Sequence, residues 1–115
     1  MQIGIDIQDV KRMKQLSNAH LERIFSASER EYIISKNNAP QTIAGLYAAK
    51  EAFFKALGTG VMHSKLNLIE IKHTEQGAPF LNIQDAELGE KIKYSTLSIS
   101  HTKDTAVAVV IIEKN

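Results

Sequence analysis

At 115 residues, 43% of them hydrophobic and 23% charged, the chain has the size and balance of one globular domain. A formal net charge of +1 excludes a general attraction to nucleic acid, and no apolar run approaches the ~20 residues that a membrane span needs. There is no cysteine to form a disulfide, and Met1-Gln2-Ile3-Gly4-Ile5-Asp6 has neither the basic start nor the small-residue cleavage site of a signal peptide, so a cytoplasmic location is expected.

Ile3, Ile5 and Ile7 alternate with Gly4, Asp6 and Gln8, which predicts a half-buried strand with the isoleucines on one face and Asp6 on the other. Gly4 shares the Asp6 face and has no side chain to keep a helix or a ligand at a distance. Asp9 is placed to cap a helix over residues 10–16 that ends at Ser17-Asn18. That segment carries Lys11, Arg12 and Lys14, with His20 and Arg23 just beyond. The cluster is either a solvated helix face or a docking surface for an acidic partner, where steering would weaken with salt. Ser28-Glu29-Arg30-Glu31 has the spacing of a capping box and predicts a short helix ending near residue 35.

After a break at Asn37-Asn38-Ala39, Pro40 suits the first turn of a long helix that Gly58 and Gly60 stop. Residues 66–73 and Pro79–Ile83 read as the two strands of a hairpin turning through Glu75-Gln76-Gly77-Ala78. A short helix over 85–92 follows, then strands over 94–100 and 105–112 linked at His101-Thr102-Lys103-Asp104. The last strand is a near-continuous β-branched run, which predicts a central place in the sheet.

Three charges, Lys50, Glu51 and Lys55, interrupt an otherwise apolar or small run from Leu46 to Gly60. Lys and Glu are seldom buried unless paired or bound to something. Glu51 and Lys55 stand at i and i+4, so the spacing fits an exposed ion pair contributing about 0.2–0.5 kcal/mol, or a functional site. Taken with Asp6 on a strand and His101 at a strand end, the set has a chemical logic. Two carboxylates can hold Mg²⁺, and two carboxylates with a lysine suit phosphoryl-type transfer, in which the protein positions groups and offsets phosphate charge. His63 and His73 have no cysteine partners or zinc-type spacing, and Gly58-Thr59-Gly60 lacks the lysine and the preceding strand of a phosphate-binding loop.

Gly4-Ile5-Asp6-Ile7, the run from Ala48 to Gly60, Gly77-Ala78-Pro79 and Ser98-Ile99-Ser100-His101-Thr102 together resemble, in that order and over almost the whole chain, the holo-[acyl-carrier-protein] synthase family of 4′-phosphopantetheinyl transferases. The resemblance implies an α+β fold in which an antiparallel sheet of about five strands packs against a long central helix and shorter helices. It also implies Mg²⁺-dependent transfer of phosphopantetheine from coenzyme A to a serine of apo acyl carrier protein, an activity of fatty acid biosynthesis, with release of adenosine 3′,5′-bisphosphate. On that basis Asp6 and Glu51 match the metal ligands. Glu51 or a metal-bound water matches the proton acceptor, and Lys55 the cation near the transferred phosphate. His101 matches a coenzyme A phosphate contact to which Lys50 adds charge, while Lys11, Arg12, Lys14 and Arg23 match the face presented to the carrier protein. Members of the family resemble trimers with sites between subunits. This chain departs from many relatives in having Leu46 where they carry arginine, Asn37 and Asn38 where they carry basic residues, and Ala78 where they carry lysine. The rival readings are a metal-dependent phosphodiester hydrolase of the same fold, which the residues leave open, and a carrier-protein-binding module without chemistry; the joint presence of Asp6, Glu51 and Lys55 argues against the second alone.

Overall fold

The helix α4, Pro40–Leu57, starts with proline at its first position, where a missing N–H leaves nothing unsatisfied, and ends at Gly58, whose φ of 85° is the left-handed value that glycine adopts freely. A computed structural model describes residues 1–115. Before α4 run the strand β1 (Gln2–Asp9) and three short helices, α1 (Val10–Met13), α2 (Asn18–Ile24) and α3 (Ala27–Ser35). After it come a 3-10 turn (His63–Leu68), β2 (Ile69–His73), β3 (Pro79–Ile83), α5 (Ala86–Glu90), β4 (Ile92–His101) and β5 (Thr105–Lys114). The α+β class holds, with five strands, all antiparallel, divided into a three-stranded sheet ordered β1-β5-β4 and the separate hairpin β2-β3. β1, β5, β4, α1 and β2 all pack against α4, and its buried residues from Ile43 to Leu57 surround the helix except along the stripe of Tyr47, Glu51 and Lys55. β5 takes the centre of its sheet, as its β-branched run predicts.

The alternation in β1 is present, and the face on the core is the one where Gly4 admits a helix, not the face of the isoleucines. Gly4, Asp6 and Gln8 face the core, while Ile3, Ile5 and Ile7 are 67%, 60% and 67% exposed. The cause lies at Gly4, where a Cβ would stand 2.1 Å from the carbonyl oxygen of Ala52 and 2.5 Å from the amide nitrogen of Ala56. The backbone of β1 therefore rests directly on α4 over small residues, and the isoleucines must point outward. Gly4→Ala is expected to cost about 1–3 kcal/mol or more through overpacking, and to move Asp6 with the strand. Denaturant unfolding measures this as a lowered midpoint at unchanged slope; an unchanged midpoint would contradict the close contact.

Local signals placed the helices with two corrections. The capping box that opens α3 is Ser26 with Glu29, not Ser28 with Glu31: Ser26 N donates to Glu29 Oε1 at 2.9 Å and Glu29 N to Ser26 Oγ at 3.3 Å. Ser28 instead donates from its hydroxyl to the buried Glu70 at 2.6 Å. The basic segment is not one helix over 10–16. Asp9 caps the single turn of α1, and Ser17, in a reciprocal pairing with His20, opens the separate helix α2. The strand expected from residue 66 begins at Ile69, its first residues being taken up by the 3-10 turn.

Candidate active site

Asp6 and Glu51 meet where β1 lies on α4, with the amide of Gln8 between them. Gln8 Nε2 donates to Asp6 Oδ2 at 2.6 Å and also to Glu51 Oε2. Lys55 Nζ, one helical turn past Glu51, donates to Asp6 Oδ1 at 3.0 Å. Period-two geometry puts Asp6 and Gln8 on one strand face, and i, i+4 spacing puts Glu51 and Lys55 on one helix face, so the contact of two elements assembles all four groups. Asp6 and Gln8 are 7% and 6% exposed, whereas the Lys55 side chain is 53% exposed and reaches in from solvent.

Burial and then the negative charge of Asp6 push the Glu51 carboxyl up to about 7, with Lys55 and the Gln8 amide opposing. Burial, followed by the charges of Glu51 and Asp6, pushes the Tyr47 hydroxyl up, while the Arg12 guanidinium acts the other way. Tyr47 thus lies within the field of the carboxylates and of Arg12. A close carboxylate pair partly shielded from water is electrostatically strained without a cation. Its hard oxygen donors fit a divalent ion such as Mg²⁺, and the exposed Lys55 side leaves room for water ligands. No third acidic or histidine side chain joins the pair.

Lys50, expected to add charge at a coenzyme A phosphate, does not reach this surface. It is 0% exposed, and its Nζ donates to Glu29 Oε1 at 2.6 Å, to the carbonyl of Leu66 at 2.8 Å and to that of Ile69 at 2.7 Å. All three ammonium protons are used within the core. Glu29, also 0% exposed, accepts from Ile71 N at 2.9 Å through its other oxygen. Burial pushes the Glu29 carboxyl up and the Lys50 ammonium down, and each opposes the shift of the other. The pair ties α3, α4, the 3-10 turn and β2 together, which accounts for a lysine inside an apolar helix without a ligand.

His101 ends β4 and is exposed. Gln8, Ala106 and His101 stand in register across β1, β5 and β4, so two strand spacings, about 10 Å, separate His101 from Gln8. His101 lines a different cleft, of about 190 Å³, with Gln41, Gly45 and Leu46 of α4 and with Gly77 and Pro79 of the hairpin. Tyr32 and His73 stack in its wall, 3.9 Å between ring centroids and 6° from parallel. Within one chain, then, the carboxylate pair and His101 are separate features. The departures from many relatives have structural content, and of Leu46, Asn37 and Asn38 only Leu46 lines this cleft. Leu46 is 2% exposed and closes its floor. Asn37 and Asn38 have φ of 58° and 56°, left-handed values that asparagine tolerates and that fit the tight turn between α3 and α4.

Lys11, Arg12, Lys14 and Arg23 are all exposed, but α1 and α2 divide them. Lys11 and Lys14 border a cleft of about 430 Å³ with Lys103 and Asp104, and Gln41 belongs to both this cleft and that of His101. Arg23 borders a third cleft beside Tyr47 and His63. Gln8 and Tyr47 are the site residues that the sequence did not single out. Their signals were present: Gln8 lies two residues from Asp6 on one strand face, and Tyr47 four residues before Glu51 on one helix face.

The sequence matches the model of the ACPS family, described as the 4′-phosphopantetheinyl transferase superfamily, over residues 2–110. The chain belongs to this superfamily. It is 44% identical over 120 residues to the holo-[acyl-carrier-protein] synthase of Caldicellulosiruptor bescii, covering 97% of each chain, and 44% identical over 118 residues to that of Treponema denticola, covering 96% of each. Among solved structures, the Neisseria meningitidis holo-[acyl-carrier-protein] synthase superposes with a TM-score of 0.85 at 34% identity, over 98% of each chain. The Bacillus anthracis enzyme, in complex with CoA (3′,5′-ADP), gives 0.82 at 34% identity, over 99% of this chain and 96% of that one.

Proposed function

We propose that the chain transfers the 4′-phosphopantetheine group of coenzyme A to a serine of apo acyl carrier protein in a Mg²⁺-dependent reaction in the cytoplasm. The observation that carries this reading is the joining of Asp6, Glu51 and Lys55 at the β1–α4 contact of a phosphopantetheinyl transferase fold. Asp6 and Glu51 are the residues that would hold Mg²⁺, which supplies positive charge against the diphosphate of coenzyme A. Lys55, tethered to Asp6 at its tip and otherwise in solvent, can turn to a phosphate oxygen and either offset the charge growing on the bridging oxygen or protonate it. The serine oxygen forms a bond to the phosphorus that carries pantetheine, the bond from that phosphorus to the bridging oxygen breaks, and the departing electron pair leaves with adenosine 3′,5′-bisphosphate. In this reading Glu51 is the residue of this chain that would take the serine proton. His101, with the cleft it shares with Gln41 and Pro79, is the place assigned to the phosphate-bearing nucleotide end.

Release of adenosine bisphosphate from coenzyme A, followed with and without apo carrier protein, separates transfer from hydrolysis. Release that needs the carrier is the expected result, and equal release without it would make water the nucleophile.

Lys11, Arg12 and Lys14, with Arg23 at one side, are assigned to the acidic carrier protein. Since placing like charges opposite each other at an interface costs roughly several kcal/mol, Arg12→Glu is expected to raise KM for the carrier protein about tenfold or more and to leave KM for coenzyme A nearly unchanged. Equal effects on both substrates would place Arg12 in the coenzyme A pocket instead.

A homotrimer with sites between subunits is part of the same reading. Its support is the outer sheet face, on which Ile3, Ile5 and Ile7 stand beside the half-buried Ile111, Val109 and Val107 of β5 and nothing in the chain covers them. A second support is that His101 and the carboxylates stand apart in one chain. Ile5→Glu is expected to give monomers by light scattering and to lower activity at the same concentration. A trimer that survives this substitution would remove the face from the assembly.

A further inference from the structure

We propose that Gln8 is a third ligand-bearing residue of the cation site, its amide turning over to present Oε1 to a divalent ion held by Asp6 and Glu51. The inference rests on the metal reading of that pair. Gln8 is 6% exposed, and the two hydrogens of Nε2 are spent on two carboxylates. Its Oε1 is the single buried side-chain nitrogen or oxygen in the chain that has no hydrogen-bond partner. Folded proteins rarely leave a buried acceptor unpaired, so such an atom beside a carboxylate pair calls for a reason. A packing role would be served by an aliphatic side chain, and a clamp on the carboxylates uses only the nitrogen.

A cation between Asp6 and Glu51 would face the positive hydrogens of Nε2. A half-turn of the amide removes that repulsion and brings a neutral oxygen, a hard donor of the kind Mg²⁺ takes, into the place of the nitrogen. The turn gives up the two hydrogen bonds to carboxylates whose charge the ion then offsets. Oε1 gives up none, because it has none. Asp6 and Gln8 on β1 and Glu51 on α4 would make three oxygen donors on two rigid elements, with the Lys55 side left open for water or phosphate.

The test is a Mn²⁺ titration of the wild type, Glu51→Gln, Gln8→Met and Gln8→Glu in the absence of coenzyme A, following the free-ion signal by electron paramagnetic resonance. Wild type binds and Glu51→Gln loses affinity on the metal reading itself. Gln8→Met, which keeps length and removes both polar atoms, is expected to weaken binding about tenfold, within the range for groups that support a metal site. Gln8→Glu should bind at least as tightly as wild type. If Gln8 is only a clamp that competes with the ion, Gln8→Met will bind Mn²⁺ as tightly as wild type or more tightly, and the proposal fails while the metal reading stands. Equal binding by wild type and Glu51→Gln removes both. Should Gln8→Met not fold, Gln8→Glu decides: a third carboxylate beside two should make its melting temperature rise with Mn²⁺ by more than that of the wild type, and an equal rise overturns the proposal.

Discussion

Glu51→Gln and Asp6→Asn are each expected to lower turnover by roughly 10²–10³, the loss that follows removal of one fixed charge or dipole acting on the transition state. Each replacement keeps shape and removes a negative charge: the remaining amide oxygen can still accept from Gln8, and in Asp6→Asn the contact with Lys55 is given up. Replacing Glu51 also removes the carboxyl that burial first, and then the charge of Asp6, hold near 7. The Glu51 variant should therefore be at least as resistant to denaturant as the wild type while losing most of its rate, the pattern of a functional site that stores like charges at the expense of stability. A variant that loses both stability and activity would instead make Glu51 a structural residue. Turnover close to that of wild type at limiting Mg²⁺ would remove it from the site.

Lys50→Met should do the opposite. It strands Glu29, 0% exposed, without its cationic partner, and breaking a buried pair in this way costs about 3–5 kcal/mol. Against a total stability of roughly 5–15 kcal/mol for a domain, that is a large share, and part of the protein should unfold at moderate temperature. Replacing both members, Lys50→Met with Glu29→Gln, should recover part of the loss, because no charge is then left buried alone. The protein that remains folded should keep its KM for coenzyme A. If Lys50 served a phosphate, the single variant would keep its stability and show a raised KM for coenzyme A.

These two neighbours on α4 show where the sequence was legible. The limits of the helix, the alternation in β1, the hairpin and the central place of β5 come from local rules of period, cap and turn, and those rules were enough. Asp6, Glu51 and Lys55 could be joined because strand and helix spacing put them on two faces that one packing contact unites. What local rules lack is the partner. Three alternating isoleucines are the usual mark of a core face, yet Gly4 admits α4 on the other side and sends them outward. Lys50 takes a coenzyme A role only through the family resemblance, and its actual partner, Glu29, stands twenty-one positions away and is brought to it by the packing of α3 on the core. The cap formed by Ser26 and Glu29 is masked in the sequence for a related reason, since Ser28 has the same spacing from Glu31 and only the fold turns it toward Glu70. Gln8 shares a strand face with Asp6, but that signal is weak alone, because glutamine on a strand is most often solvated. The separation of His101 from the carboxylates depends on strand order, which the sequence does not carry locally.

The central claim is that this chain moves phosphopantetheine from coenzyme A to a carrier protein serine, and the intact mass of apo acyl carrier protein after incubation with the enzyme, coenzyme A and Mg²⁺ tests it most directly. A gain of one phosphopantetheine group per carrier protein, matched by an equal amount of adenosine 3′,5′-bisphosphate and lost when the carrier serine is replaced by alanine, is the predicted result. An unchanged carrier mass in the presence of folded enzyme would contradict it.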